Sequence, residues 1–392
     1  MNVLQSLDAS LPWSEEETML LESVRGLART RIAPRAAALD RSGAFPWENV
    51  ADINALGLNS MFIPESYGGA PLSYSCYLAC VREISAACAS TGIVWATNFH
   101  AIKPLIQFGS DEQKQRLLPR VAEGGLASLV ITEPSAGSDA TGMRTRLEED
   151  SDEIVINGQK TFITNGDVAD VYLLFGKWVG IDDPKKAISA AVVQKGTPGL
   201  NVIGVESKMG TRASSTATLS FENCRIPRAN LLCKPGDGLH ILLTSLNKSR
   251  PSVAAHALGI ARAAFEDAIA YINERRQFRK RVLEFQGVQF LVADLAAELA
   301  TCESWLWRVG RMVDDEASDI GIEASILKLK ATDLAMRMAT EAVQLMGGYG
   351  YCQDYRVERL MRDAKITQIW EGTNQIHRQL IGRSFLSKEN SA

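Results

Sequence analysis

The stretch EIVINGQKTFITNG, residues 153–166, decides how the chain divides. Residues of strand type flank Asn157-Gly158, a pair that predicts a hairpin turn. Upstream, LASLVITEP (126–134) is a short apolar run that stops at Pro134, as a buried strand does. Downstream, VYLLFGKW (171–178), AISAAVVQK (187–195), LNVIGVES (200–207) and TATLSFENCRI (216–226) are further strand-length runs between turn residues. The pattern predicts an antiparallel β domain over 126–235.

Both flanks read as helix. Ser14 followed by Glu17 is a capping-box pattern, and it opens a helix over about 15–40 with Leu20, Val24, Leu27 and Ile32 at helical spacing. A short helix to Gly57, a Pro/Gly-rich loop at 60–73, helices over 74–88 and 90–107, and another from Ser110-Asp111 follow. Beyond Gly236 and Gly238 the helical pattern returns in ALGIARAAFEDAIAYINERRQF (257–278). Val288, Leu291, Leu295, Leu299, Cys302, Leu306 and Val309 make one apolar stripe, and a further helix covers 319–346. Long amphipathic helices of this kind pack as a bundle. The fold class is α+β multidomain, in three parts: an N-terminal α-helical domain (1–125), the middle antiparallel β domain (126–235) and a C-terminal helical bundle (236–392). The alternating strand–helix order of a dinucleotide-binding fold is absent.

Composition narrows the function. The 392 residues carry 42 basic and 46 acidic side chains, a net charge of −4, with no long basic run to hold nucleic acid. No apolar stretch is long enough to predict a membrane span. Seven scattered cysteines without a CxxC pair predict a reducing compartment, and four histidines without ligand spacing predict no metal site. The acidic N-terminus MNVLQSLDASLPWSEEE has no apolar core of a signal peptide, so a bacterial cytoplasmic protein is expected.

Three segments differ from plain scaffold. TEPSAGSD (132–139) is a polar loop directly after a strand, whose backbone N–H groups and the hydroxyls of Thr132 and Ser138 suit a phosphate or a polar ring edge; a connecting loop is the commoner meaning. MGGYGY (346–351) allows close backbone approach to a ligand, or simply caps a helix. In IWEGTNQIHR (369–378), Glu371 beside Trp370 has the setting of a general base, although most glutamates are solvated charges. The basic cluster of Arg275, Arg276, Arg279, Lys280 and Arg281 suits a diphosphate or a solvated surface. His100 and His377 read as structural.

Taken together, ITEPSAGSD, NGQKTFITNG, KSRP, ERRQF, QLMGGYGY and MRDAKITQIWEGTNQIHR make the chain resemble the acyl-CoA dehydrogenases over almost its full length. The resemblance implies that the bundle is of the four-helix type and that FAD is held without a dinucleotide-binding fold. It implies that Leu129, Thr132 and Ser138 lie beside the flavin, that Phe162, Ile163 and Thr164 flank its ring system, and that Thr373 and Gln375 add contacts. Phe162 stands where many members have Trp. Arg275, Gln277, Phe278, Gln286, Gln344, Gly347 and Gly348 match positions that grip the adenosine part of FAD in a neighbouring subunit, so a homotetramer is expected.

Glu371 matches the family's base for the α-proton, with hydride passing to the flavin to leave a trans-2-enoyl thioester. The Glu371 backbone N–H is expected to bond the thioester carbonyl. Some members place the base at the position of Ser249, which cannot serve. Ser138, Asn247, Arg250 and Gly372 match substrate contacts, with Arg250 at the CoA nucleotide end and Pro251 kinking the helix. Trp95 and Phe99 are expected to shorten the acyl pocket, which favours a short or branched acyl group. Arg279 departs from the family's usual Gly after the Phe. The expected partners are an acyl-CoA and an electron-transferring flavoprotein. The alternatives are a carrier-protein thioester as substrate, oxygen as acceptor, or a non-enzymatic binding protein.

Overall fold

The structure, a computed structural model, describes residues 6–8, 11–317 and 319–386. The reading of the first residues as free of a targeting segment falls partly on positions outside the described ones. Helix α1 (Glu15–Leu27) starts where the sequence asks: Ser14 Oγ accepts from the Glu17 N–H, and Glu17 Oε2 accepts from the Ser14 N–H, each at 3.1 Å. A π turn over Ala28–Ile32 leads into α2 (Ala33–Ser42), which ends at Gly43 with φ +67°. Then come α3 (Trp47–Ala55), α4 (Tyr74–Ala87), α5 (Ala89–Phe108) and α6 (Asp111–Ala122). Every residue of α5 from Ala89 to Ile102 is buried, so this helix is core rather than amphipathic surface.

The middle region is a mixed sheet, which corrects the antiparallel expectation. Its strands are β1 (Ala127–Val130), β2 (Arg146–Asp150), β3 (Glu153–Thr164), β4 (Val171–Trp178), β5 (Ile188–Gln194), β6 (Leu200–Val205), β7 (Thr216–Pro227) and β8 (Leu231–Leu232). Their order is β6-β7-β3-β2-β4-β5-β8, and β1 also pairs with β4. Both β1 and β2 run parallel to β4, in register Ala127 with Val171 and Arg146 with Lys177. Pro134 and the polar loop after it lift the chain off the sheet, and it returns as β2 in the direction it left. The remaining pairs are antiparallel.

Asn157-Gly158 is not a hairpin turn. It lies inside the continuous strand β3, at a register shift between Ile156 and Gly158. Asn157 Oδ1 accepts from the Asn223 N–H at 2.8 Å, and a Cβ on Gly158 would sit 2.5 Å from Thr145 Oγ1. The pair marks a β-bulge and a close chain approach, two other reasons for a glycine in a strand.

Helix α7 (Gly238–Glu274) spans 37 residues and forms the rod of the C-terminal part. It runs as one helix through Pro251, with Val253 to Ala261 buried on every side. A two-residue hairpin, β9 (Arg276–Gln277) with β10 (Lys280–Arg281), separates it from α8 (Gln286–Asp314). Then follow α9 (Gly321–Met346), α10 (Val357–Thr367) and α11 (Asn374–Arg383). One apolar core joins α1, α4 and α5 to the bundle helices.

Specific bonds lock the three parts together. Asn98 Oδ1 accepts from the Ala127 N–H at 2.9 Å, and Asn165 Nδ2 donates to the Val94 carbonyl at 3.0 Å. Arg362 donates to both oxygens of Asp40, at 3.1 and 2.7 Å, and to the Met209 carbonyl at 3.1 Å. Among the described residues no helix is long and apolar enough to cross a membrane.

Candidate active site

Glu371 lies on the connection between α10 and α11. Its φ is +53° and that of Gly372 is +93°, so two successive left-handed residues turn the chain sharply. Glycine adopts this region freely; for a glutamate it costs about 1–2 kcal/mol. Helix α9 holds the turn in place from beneath. Lys328, wholly buried, donates to the Gly372 carbonyl at 2.6 Å and to Asn374 Oδ1 at 3.0 Å. Asp333 accepts from Gln368 Nε2 and from Asn374 Nδ2, each at 2.7 Å. At the start of α11, the Thr373 hydroxyl accepts from the Ile376 N–H at 3.4 Å.

The carboxylate of Glu371 points into the junction of α5, α7 and α9. Ser249 Oγ, on α7, donates to Oε2 at 2.6 Å. His100 Nδ1, on α5, stands 3.8 Å from Oε1. A Cβ on Gly372 would meet His377 Nε2 at 3.1 Å, so glycine there keeps the loop against that ring. Burial pushes the His377 imidazole down to about 3 and Lys328 down to about 7, with the Glu371 charge pulling Lys328 the other way. Ser249, His100 and Lys328 were not singled out as supports of this carboxylate by sequence. They stand 122, 271 and 43 residues from it in the chain, and no local pattern links such positions.

Arg250 is not at an open nucleotide end. It is 6% exposed and donates to Asn247 Oδ1 at 2.9 Å and Ser325 Oγ at 3.4 Å, while its Nε has no protein partner. Burial depresses its pKa, and the Glu371 charge opposes that shift. The helical phase of residues 249 and 250, inward on a rod packed all round, decides this burial. Trp95 and Phe99 belong to a packed aromatic cluster. Tyr77 stacks on Phe99 with centroids 4.6 Å apart, and the Trp95 N–H donates to Asn59 Oδ1 at 3.0 Å.

On the β side, a second register shift between Lys160 and Ile163 gives Phe162 φ +57° and turns its ring outward, 64% exposed. The same bulge sends the Ile163 side chain into the sheet core, at 2% exposure. Ile163 therefore has only its backbone to offer a ligand. The Thr161 N–H donates to the Thr132 carbonyl at 2.9 Å, and Ser128 Oγ donates to the Thr164 carbonyl at 2.6 Å. Leu129 and Thr132 are half-buried and Ser138 is exposed.

Beneath the polar loop lies a buried ion pair. Lys160 Nζ donates to Glu133 Oε1 at 2.8 Å and to the Ile131 carbonyl at 2.7 Å. Glu133 also accepts the N–H groups of Arg144 at 2.6 Å and Thr145 at 2.9 Å. Lys160 and its neighbours hold Glu133 below the ordinary carboxylate range, while burial pulls Lys160 down to about 8.

A separate cavity of about 510 Å³ on the bundle is lined by Arg275, Gln277, Gln344, Gly347 and Gly348, among others. Phe278 stands clear at the hairpin tip, 88% exposed, and Gln286 is exposed at the start of α8. Thr373 is half-buried and Gln375 exposed beside the Glu371 turn. Phe278 and Arg279 both have positive φ, +49° and +68°. The glycine that the resemblance expects at 279 would suit that backbone, and arginine does not.

Three family models cover the chain: acyl-CoA dehydrogenase N-terminal domain over 14–125, middle domain over 128–224 and C-terminal domain over 236–386. The chain belongs to the acyl-CoA dehydrogenase family. It is 40% identical to an acyl-CoA dehydrogenase of Bacillus subtilis over 95% of this chain and 98% of that one. It is 41% identical to the cyclohex-1-ene-1-carbonyl-CoA dehydrogenase of Geobacter metallireducens, again over 95% and 98%. The solved butyryl-CoA dehydrogenase of Megasphaera elsdenii superposes with a TM-score of 0.93 at 34% identity, over 96% of this chain and all of that one. The protein is an oxidoreductase of an FAD-dependent family that dehydrogenates acyl-CoA substrates. Its residues fit that cofactor. An outward aromatic ring at Phe162, on a strand whose Thr161 N–H bonds the Thr132 carbonyl, suits a flavin edge, and the guanidinium, carboxamides and bare glycine backbone around the 510 Å³ cavity suit a nucleotide diphosphate.

Proposed function

We propose that this chain dehydrogenates the α–β carbon bond of an acyl-CoA to the trans-2-enoyl-CoA, with Glu371 as the base. The single observation behind this reading is the setting of Glu371. It is a carboxylate in a left-handed turn, oriented by the Ser249 hydroxyl at 2.6 Å and buried to 12% side-chain exposure among three helices. A base so held has given up most of its rotational freedom before substrate arrives, which is where catalysis by orientation comes from. Ser249 supports the ionised, proton-accepting form by donating to it. Asn247, Arg250 and Gly372 surround the acyl end, and Ser138 faces outward for the CoA chain.

FAD supplies the hydride acceptor when bound. Leu129, Thr132, Ser138, Phe162, Thr164, Thr373, Gln375 and the Ile163 backbone would hold its flavin side. Arg275, Gln277, Phe278, Gln286, Gln344, Gly347 and Gly348 would hold the nucleotide side of a neighbouring subunit's FAD. This division supports a homotetramer in which the site is completed between copies. An electron-transferring flavoprotein is the proposed electron acceptor.

Glu371→Gln keeps the carboxamide shape and removes the base. The purified variant should retain its yellow flavin, yet lose at least about 10³-fold in anaerobic bleaching by acyl-CoAs. Bleaching at the wild-type rate sinks the assignment.

A further inference from the structure

His100 is a buried group beside Glu371 with a polar partner at each ring nitrogen, Ser252 at Nε2 and the Glu371 carboxylate at Nδ1. Ser252 Oγ donates its only proton to the Ser249 carbonyl at 2.7 Å. The same oxygen lies 2.5 Å from His100 Nε2 and also bonds the Tyr77 hydroxyl, so with its proton on that carbonyl it accepts from the ring. In that arrangement the ring carries its hydrogen on Nε2 and a free lone pair on Nδ1. That lone pair is 3.8 Å from Glu371 Oε1, while the other carboxylate oxygen is occupied by Ser249. A proton taken up by Glu371 on Oε1 faces an acceptor once the carboxyl swings by about 1 Å to hydrogen-bond distance.

We propose that His100 receives at Nδ1 the proton that Glu371 takes from the substrate, acting through Glu371 and never on the substrate itself. This rests on Glu371 being the base. In the transfer the Oε1–H bond breaks and an Nδ1–H bond forms; no electrons change hands, and the carboxylate is restored beside an imidazolium. Ser252 and Ser249, on α7, make His100 a positioning residue as well, because they set its tautomer.

The charged and titratable groups facing this pair come from every packed element. Burial holds His100 below its ordinary value, with the Glu371 charge opposing, so the resting ring is neutral. His256 on α7 is pushed down to about 4 and bonds the Ala89 carbonyl through Nε2 at 2.9 Å, so it adds no charge. Tyr77 on α4 is pushed up by burial and stays neutral. The cations in reach of the Glu371 carboxylate are Arg250 on α7 and Lys328 on α9, and both disfavour a second positive charge on the ring. Trp370, tilted against His100 with centroids 6.0 Å apart, closes the remaining side. The imidazolium is thus a transient holder, which returns or releases its proton quickly.

The test uses the FAD-loaded enzyme in D2O with butyryl-CoA, the substrate named for the 34% identical relative. Deuterium entering C2 of recovered butyryl-CoA is measured against the rate of anaerobic flavin bleaching. A proton handed to His100 mixes with other exchangeable hydrogens, whereas one confined to Glu371 returns to the carbon it left. His100→Leu should lower the exchange-to-bleaching ratio at least about tenfold, and Ser252→Ala, which frees the tautomer, by a smaller factor. A ratio unchanged in both variants overturns the proposal. Ring nitrogen NMR of wild-type His100 needs neither substrate nor variant: a neutral ring protonated on Nδ1 also overturns it. Bleaching that survives Glu371→Gln would count against the base assignment instead, so the two failures are distinguishable.

Discussion

Lys160→Met tests the ion pair on which the polar loop 132–139 is hung. Methionine keeps most of the side chain's length and volume and removes only the ammonium. Two bonds are lost, at 2.7 Å to the Ile131 carbonyl and at 2.8 Å to Glu133. The first is worth about 1 kcal/mol and the second, to a charge, about 2 kcal/mol. Their sum, about 3 kcal/mol, is the low end of what breaking a buried pair costs. It stays low because Glu133 keeps the N–H groups of Arg144 and Thr145. The assay is urea unfolding of wild type, Lys160→Met, Glu133→Gln and the double variant at pH 7. The double variant leaves no buried charge unpaired, so the cycle should return a coupling of about 2 kcal/mol. FAD content should fall in Lys160→Met, because Thr132 and Ser138 stand on the same loop. A coupling below about 0.5 kcal/mol would refute the reasoning, since groups 2.8 Å apart would then be acting independently.

Acid should act on the same pair. Glu133 has a folded pKa below its unfolded value of 4.5, so its contribution is complete above that pH and is lost as pH falls. The alkaline side is tested at Lys328, whose folded pKa of about 7 lies below the unfolded 10.5. The unfolded chain binds more protons between those values, so the penalty of burying this ammonium fades as pH rises. Comparing urea midpoints at pH 7 and pH 9, wild type should gain on Lys328→Met; a constant difference refutes it. Arg279→Gly should relieve a left-handed residue in the β9–β10 hairpin and stabilise it locally by about 0.5–1 kcal/mol. Slower amide exchange at Lys280 and Arg281 is the expected readout, and faster exchange contradicts it.

Much of the chain was legible residue by residue. Ser14 with Glu17 and Ser110 with Gln113 form the capping boxes of α1 and α6, because a cap needs only residues three apart. The stripe from Val288 to Val309 lies within α8, since helical period is a local property. Glu371 was picked out by its motif, and the structure puts it in a left-handed turn facing Ser249 and His100. The misreadings share one cause. Asn157-Gly158 suits a hairpin turn and a bulge equally well, and pairing with β7 and contact with Thr145 chose the bulge. The same limit applies to the bulge that turns Phe162 outward and Ile163 inward, which no alternation pattern announces. Arg250, expected at the CoA nucleotide end, is turned inward by the packing of α7 on all sides.

By itself, then, the amino-acid sequence determined most of the helical and strand segments, their order along the chain and the family, and it put forward Glu371 as the candidate base. These depend on interactions a few residues apart. Only the tertiary structure decided that β1 and β2 run parallel to β4, and that Ser249, His100 and Lys328 converge on one turn. Those contacts join residues tens to hundreds of positions apart. Burial makes each polar group find its partner wherever the fold brings one, and that choice is made by packing rather than by neighbours in the chain.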